Sequence, residues 1–394
     1  MRRGNRLIQA AVGFGLVAGL LLPGTTLAND GGNRGGGSSW GGGGWGGGGG
    51  WGDLGVQHIF VIMLENHSQS TVIGDPNAPY LTALAHRYAE ATNYYGVTHP
   101  SEPNYVATIT GRLDTSRLDD NPANTYSWPN LVDQLQAHRM SWGAYMEGMP
   151  SVGFTGQQSS DGLYVNKHNP FVLMTDVLSS PARLSHIKPY TSLAADLNSR
   201  NAPDFVWITP DQCNNMHGGI YGDPVAGHPE TPCPYSDAPG DANDQSLIAK
   251  SDAFVKQAVQ TIMSSRAWTG NSVIFIQTDE ADYSGTQPEN DNWADVSGCC
   301  DSPGYGRTPA LPKGYQFLAA DGTPDGNTWA GGPFGGGVVP AIVIARRGDR
   351  HKVSTTPYNH YSLLRTIEQV WHLGYLGNAA DFRNVQSMWP LLEP

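Results

Sequence analysis

The sequence predicts an α/β protein with a mostly parallel sheet flanked by helices. Nearly continuous apolar runs of strand length recur along it, as expected where both faces of a strand are covered. Amphipathic stripes of helical spacing lie between them. Composition also changes abruptly near Val56, from glycine to apolar residues, so the folded part is expected over 56–394.

The segment before that boundary carries no core pattern. Residues 1–6 are basic, 10–22 are apolar, and Thr26-Leu27-Ala28 supplies small residues at the spacing of a cleavage site. Residues 1–28 therefore read as a secretory signal peptide, too short for a stable membrane span, and the expected location is secreted or periplasmic. Residues 29–55 are mostly glycine punctuated by Trp40, Trp45 and Trp51, which reads as a disordered linker whose tryptophans could touch a wall glycan or a membrane interface. Removing 1–28 takes away three arginines and no acid, so the formal charge of −12 becomes −15. Nucleic acid and anionic membranes need a basic footprint, and both are excluded as main partners.

Along the folded part, 58–64 reads as a strand buried on both faces that ends in Glu65-Asn66. Tyr80, Leu81, Leu84 and Tyr88 mark a first helix. In His99-Pro100-Ser101-Glu102-Pro103-Asn104-Tyr105, Ser101 reads as the cap of a short helix running to Gly111, where free N–H groups and the helix dipole favour an anion. Leu131 and Leu135 mark another helix. Further strands are expected at 142–146, 204–209, 272–278 and 338–345. Helices are expected around Ile248, Val255, Val259 and Ile262, and around Leu363, Leu364, Ile367 and Val370. The four cysteines allow three connectivities. The expectation is a bridge from the Cys213/Cys233 loop to the Cys299-Cys300 pair, or Cys213 to Cys233, because a bridge between neighbours is strained.

Chemistry gathers at the strand ends, where parallel sheets bind ligands. The first strand delivers Glu65-Asn66 and the strand from 272 delivers Thr278-Asp279-Glu280. Three carboxylates and an amide on buried strands require a cation, and an oxygen-rich set suits a hard or borderline divalent ion. His168, His217 and His360 fall in loops or at a helix start. With a serine at a helix start, they complete the parts of metal-assisted phosphoryl transfer.

On these residues the chain resembles the bacterial and fungal phosphoesterase family of acid phosphatases and phospholipases C, distant relatives of the alkaline phosphatase superfamily. The motifs are 61–68 (Val-Ile-Met-Leu-Glu-Asn-His-Ser), 99–105, Lys167-His168-Asn169-Pro170-Phe171, Thr278-Asp279-Glu280 and 359–368, in family order. The resemblance implies an alkaline-phosphatase-like fold, Ser101 as nucleophile, and a divalent metal ion held by Glu65, Asn66, Ser101, Asp279 and Glu280. It implies catalytic roles for His168 and His217, and phosphate contacts from Asn66, Asn104 and His360. Phospholipase C members commonly continue the first motif as E-N-R-S-F-D-x-Y-F-G, and many members carry an acid before the histidine of the last one. Here Glu65-Asn66 runs into His67-Ser68-Gln69 and Asn359 replaces the acid, which points to the acid-phosphatase branch.

The expected function is therefore an exported, metal-dependent acid phosphatase that hydrolyses small-molecule phosphate monoesters through a phosphoserine. A phospholipase C or other phosphodiesterase is the alternative within enzymes. A non-catalytic surface adhesin is the alternative outside them, against which stands the complete set of Glu65, Ser101, Asp279 and Glu280. A sulfatase needs C/S-x-P-x-R, and Tyr105 occupies the arginine position.

Overall fold

A computed structural model describes residues 55–115, 117–219, 233, 240–282, 297–302, 316–318, 324–328, 335–348 and 351–393. The chain divides into Met1–Trp51 and Gly52–Pro394. The expected signal peptide and, but for Gly55, the glycine-rich linker lie outside the described residues. Among the described residues no helix is long and apolar enough to cross a membrane.

The strands are β1 (Val56–Leu64), β2 (Ala89–Ala91), β3 (Tyr94–Tyr95), β4 (Trp142–Met146), β5 (Ile187–Pro189), β6 (Phe205–Thr209), β7 (Asn271–Thr278), β8 (Gln316–Leu318), β9 (Pro324–Thr328), β10 (Val338–Val339), β11 (Ala341–Ala345), β12 (Val353–Ser354) and β13 (Tyr358–Asn359). The helices are α1 (Gln69–Val72), α2 (Pro79–Arg87), α3 (Ser101–Thr110), α4 (Leu131–Ala137), α5 (Thr175–Leu178), α6 (Pro181–Leu184), α7 (Leu193–Leu197), α8 (Ala242–Ser264) and α9 (His360–Trp371). Among the described residues, eight strands form the main sheet in the order β12-β2-β11-β7-β1-β6-β4-β5. Only β11 runs antiparallel to its neighbours in that sheet, so the class and the mostly parallel sheet are as the sequence predicts.

The uninterrupted apolar run of β1 follows from its central place. Ile59, Val61 and Met63 face a core shared with Tyr105 and Ile109 of α3, Leu135 of α4 and Leu364 and Ile367 of α9. Phe60, Ile62 and Leu64 face the other layer, with Leu81 and Leu84 of α2 and Leu247, Val255 and Ile262 of α8. Period-two alternation therefore sends every second side chain to a different helical layer. Each fully buried Ile, Leu or Phe contributes roughly 2 kcal/mol. The register Leu64↔Thr278 sets the carboxyl ends of β1 and β7 side by side, and the Asp279 N–H donates to the Leu64 carbonyl at 3.0 Å.

Two expectations are corrected here. The single strand expected at 338–345 is divided at Pro340, which has no N–H to donate to a ladder. Val338–Val339 pairs with β3 in a small sheet, while Ala341–Ala345 joins the main one. Cys213 is bonded to Cys233, but Cys299 is bonded to its neighbour Cys300, the pairing that strain argued against. The backbone accommodates it in a tight turn, with Cys300 and Asp301 both left-handed at φ 58° and 66°. The longer bridge ties down the segment carrying His217, where the Gly219 N–H donates to the Cys233 carbonyl at 2.7 Å.

Candidate active site

Five groups meet where β1, β7 and α3 converge. Ser101 is the first residue of α3, not its cap: Pro100 takes that place without a side-chain capping bond, and the Ser101 hydroxyl bonds to carboxylates instead. Its Oγ lies 2.9 Å from Glu65 Oε2 and 2.9 Å from Glu280 Oε1, one hydrogen between two acceptors. Asn66, left-handed at φ 44°, turns the chain out of β1 and donates its N–H to Asp279 Oδ1 at 3.2 Å. Glu65, Asp279 and Glu280 are almost wholly buried, with oxygens within 4.8 Å of one another.

Burial raises the Glu65 carboxyl to about 8, with the Lys167 charge pulling the other way and Glu280 adding to the rise. Burial, then Glu65 and Glu280, push Asp279 well above the usual carboxylate range. Such a cluster is costly without a cation. Among the described residues three buried atoms, Glu65 Oε1, Asp279 Oδ2 and His168 Nε2, make no well-aligned hydrogen bond, although His168 Nε2 and Glu65 Oε1 lie 3.1 Å from each other. The Asn66 amide faces Glu65 Oε2 at 3.3 Å and Glu280 Oε1 at 2.9 Å, where its NH2 serves without a cation and its oxygen with one. The donor set therefore fits a hard or borderline divalent ion, which Glu65, Asp279 and Glu280 could hold, with Asn66 and the Ser101 oxygen beside them.

The histidines occupy three different positions. His168 Nε2 lies 3.1 Å from Glu65 Oε1, and its ring stacks on Tyr105 with centroids 5.3 Å apart. His217 accepts at Nε2 from Lys167 Nζ at 3.1 Å and donates from Nδ1 to the Gly218 carbonyl at 2.7 Å. Burial, then the Lys167 charge, hold His168 well below its usual value and His217 at about 3. In the free site this favours the neutral form of both rings. His360 stands behind the site: Nε2 donates to the Asp279 carbonyl at 2.5 Å and Nδ1 accepts from the Tyr94 hydroxyl at 3.1 Å.

The sequence profile of the Phosphoesterase family matches residues 75–228 and 237–374. This chain belongs to the Phosphoesterase family. It is 36% identical over 169 residues to a probable acid phosphatase of Kluyveromyces lactis, covering 41% of this chain and 39% of that protein. An acid phosphatase of Aspergillus fumigatus is 36% identical over 166 residues, covering 40% and 36%. A phosphatidylinositol-3-phosphatase of Mycobacterium tuberculosis is 28% identical over 227 residues, covering 58% and 64%. The chain thus spans less than two thirds of the length of each of these relatives. Among solved structures, an alkaline phosphatase superfamily protein of Vibrio parahaemolyticus superposes with a TM-score of 0.46 at 11% identity, over 81% of this chain and 67% of that one. A phosphonate monoester hydrolase of Silicibacter pomeroyi gives 0.45 at 13%, over 85% and 76%.

Within this Phosphoesterase-family chain, Glu65, Asn66, Ser101, His168, His217, Asp279 and Glu280 come together. Asn104 and His360, expected at the phosphate, do not offer it a free polar atom. Asn104 Oδ1 accepts from the N–H groups of Val97 (2.8 Å) and Thr98 (3.1 Å), while its NH2 donates to the carbonyls of Thr98 (2.7 Å) and Pro100 (3.1 Å). It is the clasp of the loop that delivers Ser101. Asn104→Ala should strand these buried groups at about 1–3 kcal/mol for each one left unpaired, lowering stability by at least about 3 kcal/mol in urea unfolding. Equal unfolding midpoints for the variant and the wild type would contradict that clasp.

Three site residues were not singled out by sequence. His99 Nδ1 hydrogen-bonds Glu280 Oε2 and so orients a carboxylate from behind. Lys167 and Asp120 form a 2.7 Å ion pair at the edge of the cluster. His99 and Lys167 stand inside the quoted motifs, so adjacency to Ser101 and His168 was the available signal. Asp120 carries none.

Proposed function

We propose that this protein is an exported phosphomonoesterase of acid-phosphatase type that depends on a divalent cation and works through a phosphoserine at Ser101. The observation that carries the reading is the Ser101 hydroxyl, buried at the first turn of α3 and 2.9 Å from two carboxylates in a cluster that has unpaired acceptors. The phosphatase names of the relatives support it, and so does the family to which the chain belongs.

Glu65 or Glu280 accepts the Ser101 proton as Oγ forms a bond to phosphorus in line with the bond that breaks to the ester oxygen. The departing oxygen takes a proton from water. His168 Nε2–H is the neutral donor available to a phosphoryl oxygen; water then attacks phosphorus as the P–Oγ bond breaks, and the carboxylate that took the Ser101 proton returns it to Oγ. The cation, when bound, lowers the pKa of the hydroxyl and neutralises charge on the phosphoryl oxygens. His99 and His360 hold the Glu280 carboxylate and the Asp279 backbone in place, which keeps the acceptors for the Ser101 proton fixed.

The decisive assay compares p-nitrophenyl phosphate with bis-p-nitrophenyl phosphate and a phosphorylcholine ester, before and after chelation and metal add-back. Faster monoester turnover that chelation abolishes and metal restores is the expected result. Faster turnover of either diester would replace this reading with a phosphodiesterase or phospholipase C.

A further inference from the structure

We infer that Lys167 is a phosphate-binding catalytic residue, a fixed cation standing where a second metal ion would otherwise sit and selecting doubly charged phosphate monoesters. The inference rests on the phosphoesterase reading above. Its starting point is a second group of ligand atoms that shares Glu65: Glu65, His168 and His217 place one atom each within 4.8 Å of one another, all three residues buried. Two ions bridged by a carboxylate are a common way to clamp a transferring phosphoryl group. In this chain the second position is already committed to a cation.

Lysine has three N–H donors and no acceptor. The 3.1 Å contact to His217 Nε2 is therefore a hydrogen bond from the ammonium to the ring lone pair that a metal would need. The ring is held that way round by its Nδ1–H bond to the Gly218 carbonyl at 2.7 Å. A second N–H goes to Asp120 Oδ2 at 2.7 Å. Asp120 Oδ1 in turn accepts the N–H of Glu102 at 2.9 Å, so the ammonium is tethered to the residue that follows the nucleophile. Among the described residues no third partner is recorded for the ammonium.

Exposure separates this ion pair from the groups behind it. The side chains of Lys167 and Asp120 are 15% and 24% exposed, whereas those of His168 and Glu65 are 3% and 0% exposed. Lys167 thus stands at the more exposed edge of a buried anionic cluster. A phosphoryl oxygen brought to Ser101 meets the deep carboxylate cluster on one side and the ammonium on the other. A monoester dianion carries one more charge than a diester, so the Coulomb attraction of a fixed ammonium favours it more.

The test uses the full chain, metal-loaded, with Lys167→Met against wild type. Three quantities are read: metal content, the affinity for inorganic phosphate by calorimetry, and kcat/KM on p-nitrophenyl phosphate and its bis ester. Metal content should stay at the wild-type level and phosphate affinity should fall about 10-fold. Monoester kcat/KM should fall roughly 10²- to 10³-fold, the scale of one lost charge-stabilising donor, with a smaller loss on the diester. Unchanged phosphate affinity, metal lost in step with activity, or equal losses on both esters would each overturn the inference. Lys167→Gln, which keeps a donor but no charge, gives the same comparison if the methionine variant fails to fold. A wild type that turns over neither ester would defeat the phosphatase reading, while the phosphate affinities would still decide the role of Lys167.

Discussion

Ser101→Ala should abolish turnover while leaving most of the bound metal in place. Loss of a nucleophile from a catalytic constellation costs on the order of 10³- to 10⁶-fold in kcat. The scaffold loses one neutral oxygen and keeps its three carboxylates, so metal content should fall only partly. The fold should tolerate the change, because among the described residues the Ser101 hydroxyl bonds toward Glu65 and Glu280 and makes no capping bond. Acid quench of wild type during turnover should trap phosphate on the peptide containing Ser101, as covalent catalysis requires. Trapped phosphate on a histidine, or wild-type kcat in Ser101→Ala, would remove the serine from the mechanism. A proportional loss of metal and activity would instead make it a ligand first and a nucleophile second.

The sheet was legible because burial on both faces writes itself into sequence as an unbroken apolar run. The runs at 58–64, 142–146, 204–209 and 272–278 correspond to β1, β4, β6 and β7 within two residues at either end. The same signal failed at 338–345, where Pro340 interrupts a run that hydrophobicity alone joins. Carboxylates at strand ends were legible for a related reason: an ionisable side chain that follows a fully buried strand has to be matched by something. Contacts that close across the chain were not. His99 meets Glu280 across 181 residues, and Lys167 meets Asp120 across 47. Neither pair has a spacing rule. Asn104 shows the limit from the other side, since membership of a motif does not tell a group that touches substrate from one that holds the loop beside it.

The largest effect on metal binding is expected from Asp279→Asn. The amide keeps an oxygen to accept the Asn66 N–H and keeps the size of the side chain, but it removes the charge that a divalent cation needs. Bound metal and activity should both be lost, in contrast to Ser101→Ala. Thermal unfolding with chelator and with metal separates charge from packing. In the metal-free chain burial raises Glu65 to about 8 and holds Asp279 well above its usual value, so the folded state binds protons that the unfolded state has released. That stability is complete below the unfolded carboxylate range and is lost as pH rises through the folded values. Metal binding requires the deprotonated forms and runs the other way. The gap between the metal and chelator Tm curves should therefore widen from about pH 5 to about pH 8 in the wild type. Buried acids away from the cluster, such as Glu368, raised to about 8 by burial, act on both curves alike and drop out of the gap. In Asp279→Asn the gap should collapse at every pH while the chelator curve stays close to that of the wild type or above it, because a buried carboxyl has been replaced by a group that cannot ionise. A gap that persists in the variant would mean that the metal sits elsewhere, and that the carboxylates at the ends of β1 and β7 are held by shared protons alone.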